Sequence, residues 1–219
     1  MRVLVTGASG LLGSTIALQT AEENTVVGVV NSQLIATDQF EIRKEDMLRP
    51  GAVDQLIEDT QPDLVIHCAA LADLEVCEEY PDLAFKLNAN VPGQIAEITA
   101  QAGIQMIHIS TDAVFDGKKG DYTEEDETNP LSVYTRTKLV GEKNVASFNP
   151  QAIIARVNFY GWSINGKRSL SDFFYNNLAA SNQINGFTDI LYSPLLVNDL
   201  SEILIQMAEK KLSGLYHVV

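Results

Sequence analysis

Three glycines, Gly7, Gly10 and Gly13, stand at the spacing G-x-x-G-x-x-G between an apolar run, Val3-Leu4-Val5, and a stretch of helical period, Ile16-Ala17-Leu18. The pattern predicts strand, tight turn and helix. The first glycine lets the chain leave the strand sharply. The second removes a Cβ that would block a pyrophosphate, and the third permits close helix packing. N–H groups at the helix start would then face phosphate. This expectation of dinucleotide binding takes in Gly7, Ser9, Gly10, Leu11, Leu12 and Gly13. Because the strand starts at residue 2, no targeting peptide is expected before it.

A chain of 219 residues can hold one large α/β domain or one domain with a small appendage. No apolar run reaches the roughly 20 residues of a membrane helix. The net charge of −14 argues against nucleic acid, which is held by clusters of Lys and Arg. Cys68 and Cys77 have no metal-ligand spacing, so a reduced, cytoplasmic protein without a metal is expected. His67, His108 and His217 each close an apolar run and are read as packing residues at strand ends.

Thr25 to Asn31 is a second buried strand, and the residues at its end meet the adenosine ribose in dinucleotide folds. Asn31 and Ser32 can donate to a 2′-phosphate without repelling it, which favours NADP(H) over NAD(H). Arg43 and Lys44 lie further along, and Asp46-Met47 is read either as an adenine-pocket lining or as a solvated turn. Gly51 to Thr60 is an amphipathic helix, and Asp63 to His67 a third strand. The small residues Cys68, Ala69 and Ala70 that follow leave room for a ligand at its carboxyl end. A long helix is expected from Pro81 to Ala102, in which Asn88 would tie the backbones of neighbouring strands, and Ile104 to Ile109 is a fourth strand. The alternation of buried strands and helices indicates an α/β, doubly wound parallel sheet of the Rossmann type.

The fourth strand runs into Ser110, Thr111 and Asp112, hydroxyls and a carboxylate at the ligand end of the sheet. Ser132 then suits a helix N-cap, which places Tyr134 and Lys138 one turn apart on one face. A phenol of ordinary pKa near 10 is a poor acid–base group at neutral pH, and an ammonium one turn away favours its ionised form. The pair is therefore expected to exchange a proton with a substrate oxygen, with Thr111 bonding that oxygen and Lys138 also reaching cofactor ribose hydroxyls.

The glycine triplet, Ser110-Thr111-Asp112 and Tyr134-x-x-x-Lys138 together resemble the extended short-chain dehydrogenase/reductases. More narrowly, the stretches from His108 to Gly117 and from Pro130 to Glu142 are similar to dTDP-4-dehydrorhamnose reductases, and the resemblance covers essentially the whole chain. It implies that Thr111, Tyr134 and Lys138 are catalytic, that Gly7, Gly10, Leu12 and Gly13 hold the pyrophosphate, and that Cys68, Ala69, Ala70 and Ser110 border the cofactor. Thr111, Asp112, Phe115, Asn158, Phe159 and Asp189 would meet the sugar. Two departures stand out. Ala113 replaces a tyrosine, and Phe159 replaces a tryptophan in a substrate arm one residue short.

Residues 1–161 are read as the dinucleotide-binding domain, and 162–219 as a substrate-binding lobe mixed with the last elements of the sheet. In that lobe a helix runs from Ser169 to Ala180, a short strand from Ile184 to Phe187, and a helix from Asp199 to Lys211 capped by Asn198. Gly214 to Val219 is a final strand. Family members continue with further helices, so an open sugar pocket is expected. The leading reading is an NAD(P)H-dependent reductase of a nucleotide-linked 4-keto-6-deoxy sugar. Its alternatives are a sugar-nucleotide epimerase with tightly bound NAD and a non-catalytic regulatory subunit like the reductase-related partner of methionine adenosyltransferase. A homodimer fits each of them.

Overall fold

The computed structural model describes residues 1–164, 166–167 and 169–219. In chain order its elements are β1 (Arg2–Thr6), α1 (Leu11–Thr20), β2 (Thr25–Val30), β3 (Glu41–Lys44), α2 (Ala52–Thr60), β4 (Leu64–His67), α3 (Leu74–Glu79), α4 (Pro81–Phe85) and α5 (Val91–Ala102). There follow β5 (Gln105–Thr111), α6 (Val133–Phe148), β6 (Ile153–Val157), β7 (Phe159–Tyr160), α7 (Leu170–Ala179), β8 (Leu195–Leu196), α8 (Val197–Glu209) and β9 (Gly214–Val218). Seven strands form one sheet in the order β3-β2-β1-β4-β5-β6-β9, every pair parallel. This is the doubly wound fold expected. The chain reverses direction of growth between β1 and β4, where such sheets open a crevice at their carboxyl ends.

The strands are apolar on both faces because helices cover both. On one face Val3, Val5, Ile66 and Ile107 pack against Ile16 of α1 and Leu200 and Leu204 of α8. On the other, Leu4, Val65 and Met106 pack against Val53 of α2, Ile95 of α5 and Val145 of α6. Each fully buried aliphatic side chain contributes about 1.5–3 kcal/mol relative to exposure, so the two layers fix which end of each strand faces the crevice. Since β9 completes the sheet and α8 lies on α1, the chain beyond residue 195 belongs to these layers. No helix among the described residues is long and apolar enough to cross a membrane.

Several sequence expectations are corrected. The helix from Pro81 to Ala102 is interrupted by a π-helical turn, Lys86–Asn90, where the extra residue per turn swings Asn88 inward. Asn88 bonds the loop after β4 and helix α6, not neighbouring strands. No strand forms over residues 184–187, which are non-regular. Asn198 does not cap the last helix, because the two-residue β8 pairs with β7 and runs directly into α8 at Val197, making Leu196 the cap position. His108 lies inside β5 and His217 inside β9, so only His67 is at a strand end. The six-residue α3 and the polar edge strand β3 carry too little periodic signal to be read in advance.

Candidate active site

The turn after β1 is built by its glycines. Gly7 has a φ of +71°, and an added Cβ would strike the Ala69 amide nitrogen at 2.8 Å. A Cβ on Gly13 would lie 2.3 Å from the Gly7 carbonyl oxygen, so α1 starts against the turn itself. Gly10 is the N-cap of α1 and supplies no side-chain bond. The first-turn N–H groups of a helix have no partner within it, and Leu11, Leu12 and Gly13 line a cavity of about 540 Å³. An uncapped helix start opening on a cleft suits the pyrophosphate of a dinucleotide.

The opposite wall of that cavity is α6. Ser132 accepts from the Thr135 amide at 3.2 Å and Thr135 returns the bond to Ser132, a reciprocal cap that sets the first turn. Tyr134 and Lys138 then both line the cavity, together with Ser110, Thr111 and Asp112 from the end of β5. Lys138 is 3% exposed, and its Nζ donates to the Ile109 carbonyl at 2.6 Å. Burial pulls the Lys138 pKa down to about 8, against an upward pull from Glu142. Thr111 Oγ1 accepts from the Ala113 amide at 3.1 Å and donates to Asp112 at 3.3 Å.

One electrostatic expectation is reversed. Burial, followed by the nearby Cys77 and Asp112, pushes the Tyr134 phenol up to about 12. The Lys138 ammonium one turn away donates to the Ile109 carbonyl and does not offset that burial. At neutral pH Tyr134 is a protonated phenol, a form that gives a proton.

A second cavity of about 840 Å³ adjoins the first, the two sharing Asp112, Ala113 and Asn158. Asn158 Nδ2 donates to Asp112 at 2.8 Å across the shared wall, and Ala113 leaves space there that a larger side chain would take. Phe115 and Asp189 line this second cavity, with Arg156, Tyr192 and His217. Phe115 is nearly buried, stacked on Tyr122 at 4.3 Å and covered by the Arg156 guanidinium at 5.1 Å. His217 anchors the neighbouring loop: its Nδ1 bonds the Tyr122 carbonyl at 3.1 Å, its backbone N–H donates to Glu124 at 2.7 Å, and its Nε2 meets Arg156 Nη1 at 3.2 Å. Only the tautomer with Nδ1 protonated satisfies both ring contacts.

The first cavity brings together Gly7, Gly10, Leu11, Leu12, Gly13, Cys68, Ala70, Ser110, Thr111, Asp112, Tyr134, Lys138, Asn158 and Phe159. Ser9 and Ala69 are next to it without lining it. Asn31 and Ser32 are exposed beyond its rim, Asp46 Oδ1 accepts from the Leu48 amide, and Met47 packs on the second core layer. Ala72, in the loop after β4, and Ile109 and Val157, near the ends of β5 and β6, also line the cavity without having been assigned a site role from the sequence. Lys44, too far along the chain to place from sequence, is set by the register of β3 beside Val30 at the end of β2. Arg43 is engaged by Glu41 and Asp59.

The family model described as RmlD substrate binding domain matches residues 1–219. The chain belongs to the RmlD substrate binding domain family. Among relatives of this RmlD-family chain, the probable low-salt glycan biosynthesis reductase of Haloferax volcanii is 34% identical over 223 residues, covering 100% of this chain and 74% of the relative. The beta subunit of methionine adenosyltransferase 2 from Bos taurus is 36% identical over 214 residues, covering 96% of this chain and 63% of that subunit. The crystal structure of dTDP-4-dehydrorhamnose reductase from Bacillus anthracis in complex with NADP matches with a TM-score of 0.82 at 26% identity, covering 99% of this chain and 74% of that one.

Proposed function

We propose that this RmlD-family chain is an NADPH-dependent reductase that converts the 4-keto group of a nucleotide-linked 6-deoxy sugar to an alcohol. The observation that carries this reading is that Thr111, Tyr134 and Lys138 line the same cavity as the glycine turn. The NADP complex of the Bacillus anthracis reductase supports the choice of cofactor. Gly10, Leu11, Leu12 and Gly13 would hold its pyrophosphate, and Lys44, with Asn31 and Ser32, would meet the 2′-phosphate.

The nicotinamide supplies a hydride when bound. Tyr134, protonated at neutral pH, donates its phenolic proton to the carbonyl oxygen as negative charge develops there. Thr111 Oγ1 orients that oxygen, turning from its contact with Asp112. Lys138, charged below a pH of about 8, stabilises the phenolate left behind. Asp112 and Asn158 stand where the two cavities meet and would hold sugar hydroxyls, while the second cavity would take the rest of the nucleotide sugar.

The test is to incubate the protein with NADPH and a panel of nucleotide-linked 4-keto sugars and follow loss of nicotinamide absorbance. Turnover with at least one sugar, abolished in Tyr134→Phe, is the expected result. Cofactor that co-purifies and survives dialysis would mark an epimerase instead. The likeness to the bovine methionine adenosyltransferase subunit favours a second reading, a cofactor-binding regulatory subunit. Stimulation of a methionine adenosyltransferase that survives Tyr134→Phe, without sugar reduction, would establish that reading and overturn the first.

A further inference from the structure

Glu142 lies one helical turn beyond Lys138 on α6 and is 5% exposed. Its Oε1 accepts from the Ser110 hydroxyl and from Arg156 Nε at 3.0 Å, and its Oε2 from Arg156 Nη2 at 2.8 Å. Adjacent residues of β5 are thus gripped by adjacent turns of α6: Ile109 by Lys138 through its carbonyl, and Ser110 by Glu142 through its hydroxyl. Thr111 follows directly. We infer that Glu142 is a positioning residue that acts through Lys138, serving as counter-charge for the buried ammonium while its bond to Ser110 fixes the strand end to which that ammonium is tied.

The surroundings of Lys138 leave this part to Glu142. From β4 and the residue after it, His67 and Cys68 face the ammonium. From β5 comes His108, and from α6 Tyr134 and Glu142. Burial holds both histidines neutral and both the thiol and the phenol protonated at neutral pH. The carboxylate of Glu142 is the anionic group among them; Asp112, at the end of β5, lines the same cavity but is engaged by Thr111 and Asn158. Arg156 shares it from β6, across the strand, so the pair is asymmetric as seen from Lys138.

That asymmetry separates an electrostatic role from a merely structural one. In Glu142→Gln the Arg156 charge is left unopposed and lowers the pKa of Lys138; in Arg156→Gln the carboxylate is released from its partner and raises it. The measurement is a pH titration of the Lys138 side chain by NMR on protein carrying 13C-labelled lysine, the signal being identified by its loss in Lys138→Arg. Shifts of roughly one unit in opposite directions are expected. A midpoint unmoved in Glu142→Gln, or moved the same way in both variants, overturns the inference. Where a single variant does not fold, Glu142→Gln combined with Arg156→Gln removes both members of that pair together and still lowers the midpoint, because the counter-charge of Lys138 is gone; an unchanged midpoint there overturns it equally. The consequence for catalysis rests on the reductase reading, but the titration needs neither cofactor nor substrate. Failure to reduce any sugar would remove the proposed function and leave this result standing.

Discussion

Asn88 holds Leu71 by both of its backbone polar atoms, its Oδ1 accepting from the amide at 2.8 Å and its Nδ2 donating to the carbonyl at 2.9 Å. The same Nδ2 reaches the Thr137 hydroxyl at 3.1 Å, between Tyr134 and Lys138 in sequence. One side chain therefore sets the loop after β4 against the helix that carries the proton donor. Alanine at this position leaves the Leu71 amide without a partner and its carbonyl with the Cys77 thiol alone, at 3.3 Å. Asn88→Ala is expected to lower the unfolding free energy by on the order of 2–3 kcal/mol, seen as a lower urea midpoint at unchanged slope. A loss below about 0.5 kcal/mol would show that water replaces the amide fully.

Gly13→Ala tests the turn. Its Cβ would meet a backbone oxygen at 2.3 Å, and backbone cannot swing aside as a side-chain end can. The helix start must shift, costing about 1–3 kcal/mol in stability, and NADPH affinity measured by fluorescence titration should fall at least about tenfold. Unchanged affinity would remove the glycine turn from the binding site.

Tyr134→Phe deletes only the phenolic oxygen. Under the reductase reading its kcat should drop by about 10²–10⁴-fold while the thermal unfolding midpoint and NADPH binding stay near those of the parent. Activity within about tenfold of the parent would show that another group donates the proton.

Lys138 is buried at a cost. Its folded pKa of about 8 lies below the ordinary 10.5, so between those values the unfolded chain binds the extra proton and stability rises with pH. Below about 8 both states are protonated and the penalty is present in full. Lys138→Met removes the titration: the stability of the parent relative to this variant should increase from pH 8 towards 10.5, measured by urea unfolding at each pH. A difference flat in pH would mean that the amine is not desolvated.

His67 and His108 stack at 5.6 Å inside the sheet, and burial pulls His67 down to about 3 and His108 well below its ordinary range. Both are neutral in the folded state, whereas the unfolded chain protonates them near 6.5. Stability is therefore lost as pH falls below about 6.5, by up to about 1.4 kcal/mol per pH unit for each ring. Replacing both by glutamine should flatten the slope of unfolding free energy against pH between 4 and 6; an unchanged slope would assign acid sensitivity elsewhere.

The parts of this molecule that were legible in advance are those whose signal is local. The glycine spacing named the turn, continuous Val and Ile runs named buried parallel strands, and a four-residue separation put Tyr134 and Lys138 on one face. Burial is not local. The spacing of Tyr134 and Lys138 states nearness but not the desolvation that raises the phenol to about 12, so the expected direction was wrong. Register is equally hidden: Lys44 lies too far along the chain to place until β3 pairs with β2 and sets it beside Val30. The second cavity joins Asp112, Arg156, Tyr192 and His217, residues that only the strand order brings together.

The contact between the His217 amide and the Glu124 carboxylate has a consequence at the margin of the sheet. β9 pairs with β6 on one side alone, and an outermost strand with bare amides invites another chain to add itself laterally. The acidic loop that walls the second cavity also satisfies one of those amides. The segment that shapes the place for a ligand thereby helps guard the fold against self-association through its border.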